Sequence, residues 1–226
     1  MTEIGEKKMT FESSKTLGIV GAILMLIGTL PFVPYIGIIA FVGFILLLVA
    51  LHGLANYYKE SGIFNNALYG FIAGIVGIVA TVVTAIYVIF YTSILTDFLH
   101  KIYPGWNGSW SSLAGLTPNT SNIKFSDVSP VLGAIFAVLV ILWIFLIISA
   151  FFNRRSLKTL SSKASVGLFS NAGLLLIIGA VLAIVLIGFV LMWIAILLIA
   201  IAFFQIKPQP EQPVAPASSP QAKTPV

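Results

Sequence analysis

The chain has 226 residues, of which 59% are hydrophobic and 8% are charged, and its mean hydropathy is +1.07. Soluble domains carry roughly 25% charged residues, so this composition excludes a soluble globular domain and indicates an integral membrane protein. The absence of cysteine excludes structural disulfides, thiol catalysis and cysteine-ligated zinc or iron–sulfur clusters. The positional bias of basic residues in membrane proteins explains the net charge of +5, so we expect no nucleic-acid partner.

A polar N-terminal segment, residues 1–15, precedes the first apolar segment, Leu17–Leu54. The apolar segment contains one histidine and no Asp, Glu, Lys or Arg residue. Ser13 or Ser14 is expected to cap the first helix, because a side-chain oxygen at that position accepts a hydrogen bond from a free backbone amide.

The first apolar segment is nearly twice as long as one crossing requires, because a helix rises about 1.5 Å per residue and the hydrocarbon core is about 30 Å thick. Pro31 and Pro34 interrupt the helix near its centre. We therefore predict a hairpin of two helices, about residues 16–30 and 35–54. The first helix is short for a full crossing, which leaves a re-entrant hairpin as an alternative. Either form returns the chain to the side on which it started.

The third span is predicted over about residues 67–95, which is long enough to cross a membrane with tilt. It carries Gly70, Gly74 and Gly77, and the first two form a GxxxG pattern that lets two helix backbones approach closely. These glycines are candidate helix-packing residues, within the chain or in a dimer. The alternative is that they reflect only the general abundance of glycine in membrane helices.

The long polar loop, residues 98–127, is predicted to lie outside the cell. It contains two sequons for N-glycosylation, at Asn107 and Asn119, which make these asparagines candidate glycan acceptors. Trp106 and Trp110 are expected to lie at the headgroup layer of the membrane rather than to bind a sugar or base.

The fourth span is predicted over about residues 128–152, and we expect its helix to end abruptly at Asn153-Arg154-Arg155. A short basic link follows. Its positive charges would attract anionic lipid headgroups. The candidate lipid contacts are Arg154, Arg155, Lys158 and Lys163.

The last apolar segment is again too long for one helix, so it is predicted to fold back into two spans, about residues 166–184 and 187–206. No proline marks the turn, which we place within Leu182–Gly188. The proline-rich tail, residues 207–226, has no large apolar cluster and is predicted to be disordered.

The predicted fold is therefore an all-α, polytopic membrane protein with six transmembrane helices, arranged as a hairpin, two long spans and a hairpin. This arrangement places ten basic residues on the side of both termini and two on the other side. Basic residues are enriched in cytoplasmic segments, so we expect a multi-pass protein of the cell membrane with both termini in the cytoplasm.

The apolar spans carry no ionisable residue at their centres, where such a residue would indicate a proton or solute path. His52 and Asp97 lie at span ends, and Asp97, His100 and Asp127 are the only polar group that could converge near the outer surface. We therefore expect no catalytic residue, cofactor or metal, and no enzymatic activity.

Two stretches carry a family resemblance: GLANYYKESGIFNNALYG, Gly53–Gly70, and VGLFSNAGLLLIIGA, Val166–Ala180. Over roughly Lys15 to Ile206 the chain resembles a family of uncharacterised prokaryotic, mainly archaeal, membrane proteins known as domain of unknown function 996. The resemblance implies a multi-span protein and supplies no activity or functional residue.

The leading functional hypothesis is a non-enzymatic scaffold or interaction module in the cell membrane, whose partners are the lipid bilayer and either a second copy or another membrane protein. The glycine-rich spans without buried charge favour it. The alternative is a small transporter or channel built on the two similar helical hairpins, which could meet at the membrane midplane.

Overall fold

A computed structural model describes residues 9–30 and 36–208 of the chain. Within these residues all regular secondary structure is helical, with two short 3-10 helices at Trp110–Gly115 and Ala183–Val185. The predicted all-α fold is confirmed, and six of the helices are long and apolar enough to cross a membrane. The α-helices are α1 (Phe11–Gly28), α2 (Ile36–Tyr57), α3 (Ser61–Tyr91), α4 (Ile94–Ile102), α5 (Phe125–Ala164), α6 (Gly167–Leu182) and α7 (Ile187–Gln205).

The first hairpin, α1 and α2, closes through direct contact of its two backbones. A Cβ atom on Gly21 would lie 2.7 Å from the Gly43 carbonyl oxygen and 2.7 Å from the Leu47 amide nitrogen. No side chain fits in that space, so both helices need glycine at the crossing. The prolines of the predicted turn, Pro31 and Pro34, lie outside the described residues.

The second hairpin, α6 and α7, is built in the same way. A Cβ atom on Gly179 would lie 2.8 Å from the Gly188 carbonyl oxygen. The chain turns through Ala183–Val185 and then through Leu186, whose φ of +65° is rare for a residue with a side chain. The turn predicted within Leu182–Gly188 is confirmed.

The two long helices, α3 and α5, pack antiparallel along their lengths. Near one end the Ser149 hydroxyl donates a 2.7 Å hydrogen bond to the Gly70 carbonyl oxygen. Further along, Gly77 lies directly against the Phe145 side chain. The two helices therefore keep the same packing register along their contact.

Helix α5 corrects the sequence prediction at its C-terminal end. The helix does not end at Asn153-Arg154-Arg155 but continues to Ala164. The end of the apolar stretch is therefore not the end of the helix. The helix continues because Leu157 and Leu160, three residues apart and thus on one face, are both buried in the core.

Helix α1 also begins earlier than predicted. Its first residue is Phe11, and its N-terminal cap is Thr10, whose hydroxyl oxygen accepts a 3.2 Å hydrogen bond from the Ser13 amide. The prediction that Ser13 or Ser14 caps the helix is wrong, because the helix starts one turn before these serines. The buried face that begins at Phe11 explains the earlier start.

The buried side chains concentrate at one end of the bundle, which we call the basic end because Lys15, Arg154 and Lys163 lie there. The opposite end, from which the loop of residues 98–127 emerges, we call the loop end. Residues 78–91 of α3 and 125–149 of α5 include no buried residue. The large side chains that are fully buried are Phe169, Phe203, Leu54, Ile63, Leu160 and Ile206.

A candidate ligand cavity between the two hairpins

A cavity of about 560 Å³ lies between the two hairpins and α5. Its volume is within the range of small-molecule sites in proteins. The first hairpin, α5 and the second hairpin each contribute a wall. The lining residues are Met25, Gly28, Thr29, Gly37, Ala40, Phe44, Leu47, Leu51, Asn153, Ser156, Leu157, Leu176, Phe189, Met192, Trp193, Ile196 and Ile199.

The cavity lining is almost entirely carbon and contains no ionisable side chain. Two of its polar side chains already make hydrogen bonds within the chain. Asn153 Nδ2 donates to the Ser149 carbonyl oxygen at 2.9 Å, and the Ser156 hydroxyl donates to the Ile63 carbonyl oxygen at 2.5 Å. The Trp193 Nε1 donor is buried and has no hydrogen-bond partner among the described residues. The cavity is thus suited to an uncharged, largely apolar molecule.

Gly37, near the start of α2, lines the cavity and is exposed. No described atom lies within 4 Å of the position that its Cβ would occupy. A larger side chain at this edge of the cavity therefore meets no described atom at its Cβ.

The predicted helix-packing glycines of α3 face α5 of the same chain. A Cβ atom on Gly70 would lie 2.6 Å from Asn153 Nδ2, and one on Gly74 would lie 3.6 Å from the Ser149 hydroxyl oxygen. Gly77 packs against Phe145. All three glycines are thus on a face that is covered within the chain.

The four predicted lipid contacts lie on the part of α5 that extends past the apolar stretch. Arg155 and Lys158 are exposed, and the Arg155 guanidinium lies 4.6 Å from the centre of the Phe151 ring. Arg154 is half-buried, because its backbone passes against Gly173 of α6. Lys163 forms a 3.2 Å ion pair with Glu60.

Both predicted glycan acceptors are exposed in the loop of residues 98–127. The Asn107 side-chain oxygen accepts hydrogen bonds from the Ser109 amide and the Ser112 hydroxyl, at 2.9 and 2.7 Å. The Asn119 side-chain oxygen accepts a 3.2 Å hydrogen bond from the Ser121 amide. Each asparagine therefore closes a tight local turn.

The aromatic residues of this loop make contacts with one another. Trp106 is buried, its Nε1 donates a 2.6 Å hydrogen bond to the Ser109 carbonyl oxygen, and its ring lies 4.9 Å from that of His100. Trp110 lies 5.7 Å from Trp106 and is exposed. Trp106 thus forms a small core that holds the loop together.

The polar residues that could have converged near the outer surface are separated. Asp127 pairs with Lys101, and His100 packs against Trp106. Within residues 9–30 and 36–208, no three histidine, aspartate or glutamate side chains approach closely enough to hold a metal ion.

Tyr58, at the basic end, is a further buried polar residue. It lies in the turn between α2 and α3, and its hydroxyl has no hydrogen-bond partner among the described residues. Burial, and secondarily the neighbouring Tyr57, raises the pKa of Tyr58 to about 12. The neutral phenol is therefore the form that the fold favours.

Sequence reasoning missed one residue that organises the second hairpin, Trp143 of α5. Its Nε1 donates to the carbonyl oxygens of Ala180 and Val181, at 3.0 and 3.2 Å. These carbonyls belong to the last turn of α6, where helical hydrogen bonding runs out, and the Ala183 amide also donates to the Ala180 carbonyl oxygen. A lone tryptophan inside an apolar stretch is the one signal in the sequence, because its N–H needs a partner when buried.

The fold and the cavity together define an all-helical protein with six helices long and apolar enough to cross a membrane and an uncharged cavity between two hairpins. The chain belongs to the family described as protein of unknown function (DUF996), whose family model matches residues 39–197. The resemblance stated from the sequence is thereby confirmed.

One relative is the uncharacterised protein MJ1644 of Methanocaldococcus jannaschii. It is 28% identical to this chain over 200 residues, which cover 88% of this chain and 94% of the relative. No solved structure shows a significant match to the chain.

Proposed function

We propose that this chain is an integral protein of the cell membrane, with both termini in the cytoplasm, that acts as a non-enzymatic interaction module for an uncharged lipophilic ligand. The observation that carries the proposal is the cavity of about 560 Å³, which is lined by carbon and by no ionisable side chain. A charged substrate would have no counter-charge there, whereas an apolar one would gain by contact with the walls.

Insertion into a membrane is supported by the pattern of exposure. Large apolar side chains face outward along the loop-end halves of α3 and α5, including Phe90 at 66%, Phe136 at 59% and Leu139 at 55% exposure. A continuous apolar surface of this kind is rare on monomeric soluble proteins, and hydrocarbon is its natural solvent.

The sidedness rests on the distribution of charge. Arg154, Arg155 and Lys158 lie at the basic end, together with both ends of the described chain. The positive-inside rule places this end in the cytoplasm and the loop of residues 98–127 outside. In the cysteine-free chain, Ser162→Cys and Ser111→Cys are both exposed sites for a membrane-impermeant thiol reagent. On intact cells we expect labelling of the second variant only, and labelling of the first alone would reverse the orientation.

Ligand binding is tested by filling the cavity from one wall. We expect Gly37→Phe to reduce photo-crosslinking of the purified protein to a diazirine-bearing long-chain alcohol, because Gly37 lines the cavity and has open space around its Cβ position for a larger side chain. Gly133→Phe is the matched control, since Gly133 is an exposed glycine of α5 that also has no atom within 4 Å of its Cβ position. Equal crosslinking of both variants and the parent protein, or crosslinked peptides only from lipid-facing positions, would contradict the proposal.

A transporter of lipophilic solutes is the second candidate. The position of the cavity between two hairpins favours it, because transporter sites lie where such repeated elements meet. Liposomes containing the protein should then move a fluorescent lipophilic probe faster than liposomes containing Gly37→Phe. Equal transport rates for the two proteins, with ligand binding retained in the parent, would reject the transporter and keep the binding module.

A protein partner would have to use a surface other than the glycine faces. Gly70 and Gly77 are covered by α5, so a second copy or another membrane protein would have to use exposed helix surface, of which the loop-end parts of α3 and α5 are one long continuous stretch. Crosslinking in native membranes through Val83→Cys, which is 59% exposed, should capture such a partner. Recovery of the monomer alone would count against a scaffold.

A further inference from the structure

We propose that the two hairpins enter the membrane from the cytoplasmic side and turn back near its midplane, so that only α3 and α5 cross it completely. The inference rests on the membrane insertion proposed above. It identifies the partner of the hairpin tips as the hydrocarbon interior of the bilayer rather than water or headgroups.

The length of helix α5 gives a scale for depth in the bilayer. About 27 residues separate Asp127 at the loop end from Arg154 at the basic end, which corresponds to roughly 40 Å of helix. This length matches a bilayer of about 40–45 Å including its headgroups. Asp127 and Arg154 are thus placed to lie in opposite headgroup layers, with the apolar stretch between them in hydrocarbon.

The tip of the second hairpin lies near the middle of α5 between Asp127 and Arg154. Trp143 contacts the last turn of α6 through its bonds to the Ala180 and Val181 carbonyls. It is about 11 residues, or roughly 17 Å, from Arg154 and about 16 residues, or roughly 24 Å, from Asp127.

In the first hairpin, the described part of α2 begins at a similar depth. Its Phe44 ring stacks on Phe71 of α3, with ring centres 5.3 Å apart, and α2 begins only about eight residues, or roughly 12 Å, closer to the loop end, at Ile36. Helix α3 runs about 20 residues, or roughly 30 Å, from Phe71 to Tyr91. Roughly 18 Å of α3 therefore extends past the point where α2 begins.

The alternative placement, in which the hairpin tips reach the outer surface, has two physical costs. It would draw Arg154 into the hydrocarbon core, which costs at least about 2.5–3.5 kcal/mol at the centre. It would also push the exposed apolar side chains of α3 and α5 beyond the tips, such as Phe90 and Phe136, into water.

The chemistry of the turns agrees with a place in hydrocarbon. Val185 and Leu186 are 62% and 72% exposed, and every residue of the turn is apolar. The carbonyls at the end of α6 are bonded by Trp143. At the end of α1 the Thr29 hydroxyl bonds back to the carbonyl oxygens of Met25 and Leu26, at 2.9 and 3.0 Å. Backbone groups at membrane depth need such protein partners, because no water is available to them.

Depth-dependent fluorescence quenching tests the inference in the full-length, cysteine-free protein. A fluorophore is attached to Val185→Cys, Leu139→Cys or Ile148→Cys in liposomes whose lipids carry a nitroxide near the headgroup or near the end of the acyl chain. We expect Val185 and Leu139 to be quenched more by the deep nitroxide than by the shallow one, and Ile148 to be quenched less deeply than either.

Two other outcomes are distinguishable. If Ile148 is the deepest site and Val185 is quenched mainly by the headgroup nitroxide, the hairpins cross fully and the inference is overturned. If no site is quenched by an acyl-chain nitroxide, membrane insertion itself fails, and the proposed function fails with it. Circular dichroism of each labelled variant verifies that the helical fold is retained.

Discussion

Replacing Trp143 with phenylalanine removes the donor that bonds the Ala180 and Val181 carbonyls at the end of α6. The indole of Trp143 is the side chain that bonds this helix end to α5. Trp193 is the matched control, because its Nε1 has no hydrogen-bond partner among the described residues. Both substitutions shrink a half-buried indole to a phenyl ring, so the loss of packing is similar.

The difference between the two variants isolates the hydrogen bonds. A hydrogen bond contributes a net of about 0.5–1.5 kcal/mol, and Trp143 makes two of them, while the Ala180 carbonyl keeps its bond from the Ala183 amide in the variant. Hydrogen bonds between helices in a bilayer average about 0.6 kcal/mol, with values up to about 1.7. We therefore expect Trp143→Phe to lower the free energy of unfolding by about 1–2 kcal/mol more than Trp193→Phe does.

The assay is equilibrium unfolding in mixed detergent micelles, followed by far-ultraviolet circular dichroism at increasing fractions of denaturing detergent. Both variants must first give the same helical signal and the same elution volume as the parent protein. Equal losses of stability in the two variants would refute the account of the α6 end. A larger loss in Trp193→Phe would instead indicate that its indole is bonded in solution.

Leu186→Gly is expected to raise the free energy of unfolding by up to about 1 kcal/mol, because Leu186 has a φ of +65° that glycine adopts without strain. Thermal melting measures this change, and a lower melting temperature in the variant would contradict the prediction. Gly188→Ala is expected to destabilise the second hairpin by at least about 2 kcal/mol, because the new Cβ would overlap the Gly179 carbonyl oxygen. Gly133→Ala should be neutral in the same melting experiment, because its Cβ would meet no described atom. Tyr58→Phe should remove a pH dependence of stability, because the fold stabilises the neutral phenol. As pH rises from 10 to about 12, the parent protein should lose up to about 2–3 kcal/mol of unfolding free energy relative to the variant, with no such loss below pH 10. Unfolding free energies that change in parallel for both proteins across this range would refute the prediction.

The hairpins and the long helices could be predicted because apolar length alone decides them. Leu17–Leu54 is too long for one helix, and the turn of the second hairpin falls within Leu182–Gly188 as the excess length requires. The end of α5 could not be found in this way. The helix continues past Arg155 because Leu157 and Leu160 are buried, and a change from apolar to basic residues does not report that burial.

The cavity and the bonds of Trp143 could not be predicted for a different reason. Both depend on the register in which α5 packs against α6, which places Trp143 beside Ala180 and Asn153 beside the cavity. Helix-packing register is set by many small contacts between side chains that are apolar and alike. The sequence shows that glycines are available for close packing, but it does not show which helix each one faces.

The most direct measurement is an experimental structure of the protein in a lipid nanodisc, with density for both headgroup layers. The account predicts that Arg154 lies at the cytoplasmic headgroup layer, Asp127 at the outer layer, and Leu186 near the midplane between them. Density that places Leu186 at the outer headgroups, with Arg154 inside the hydrocarbon, would contradict it.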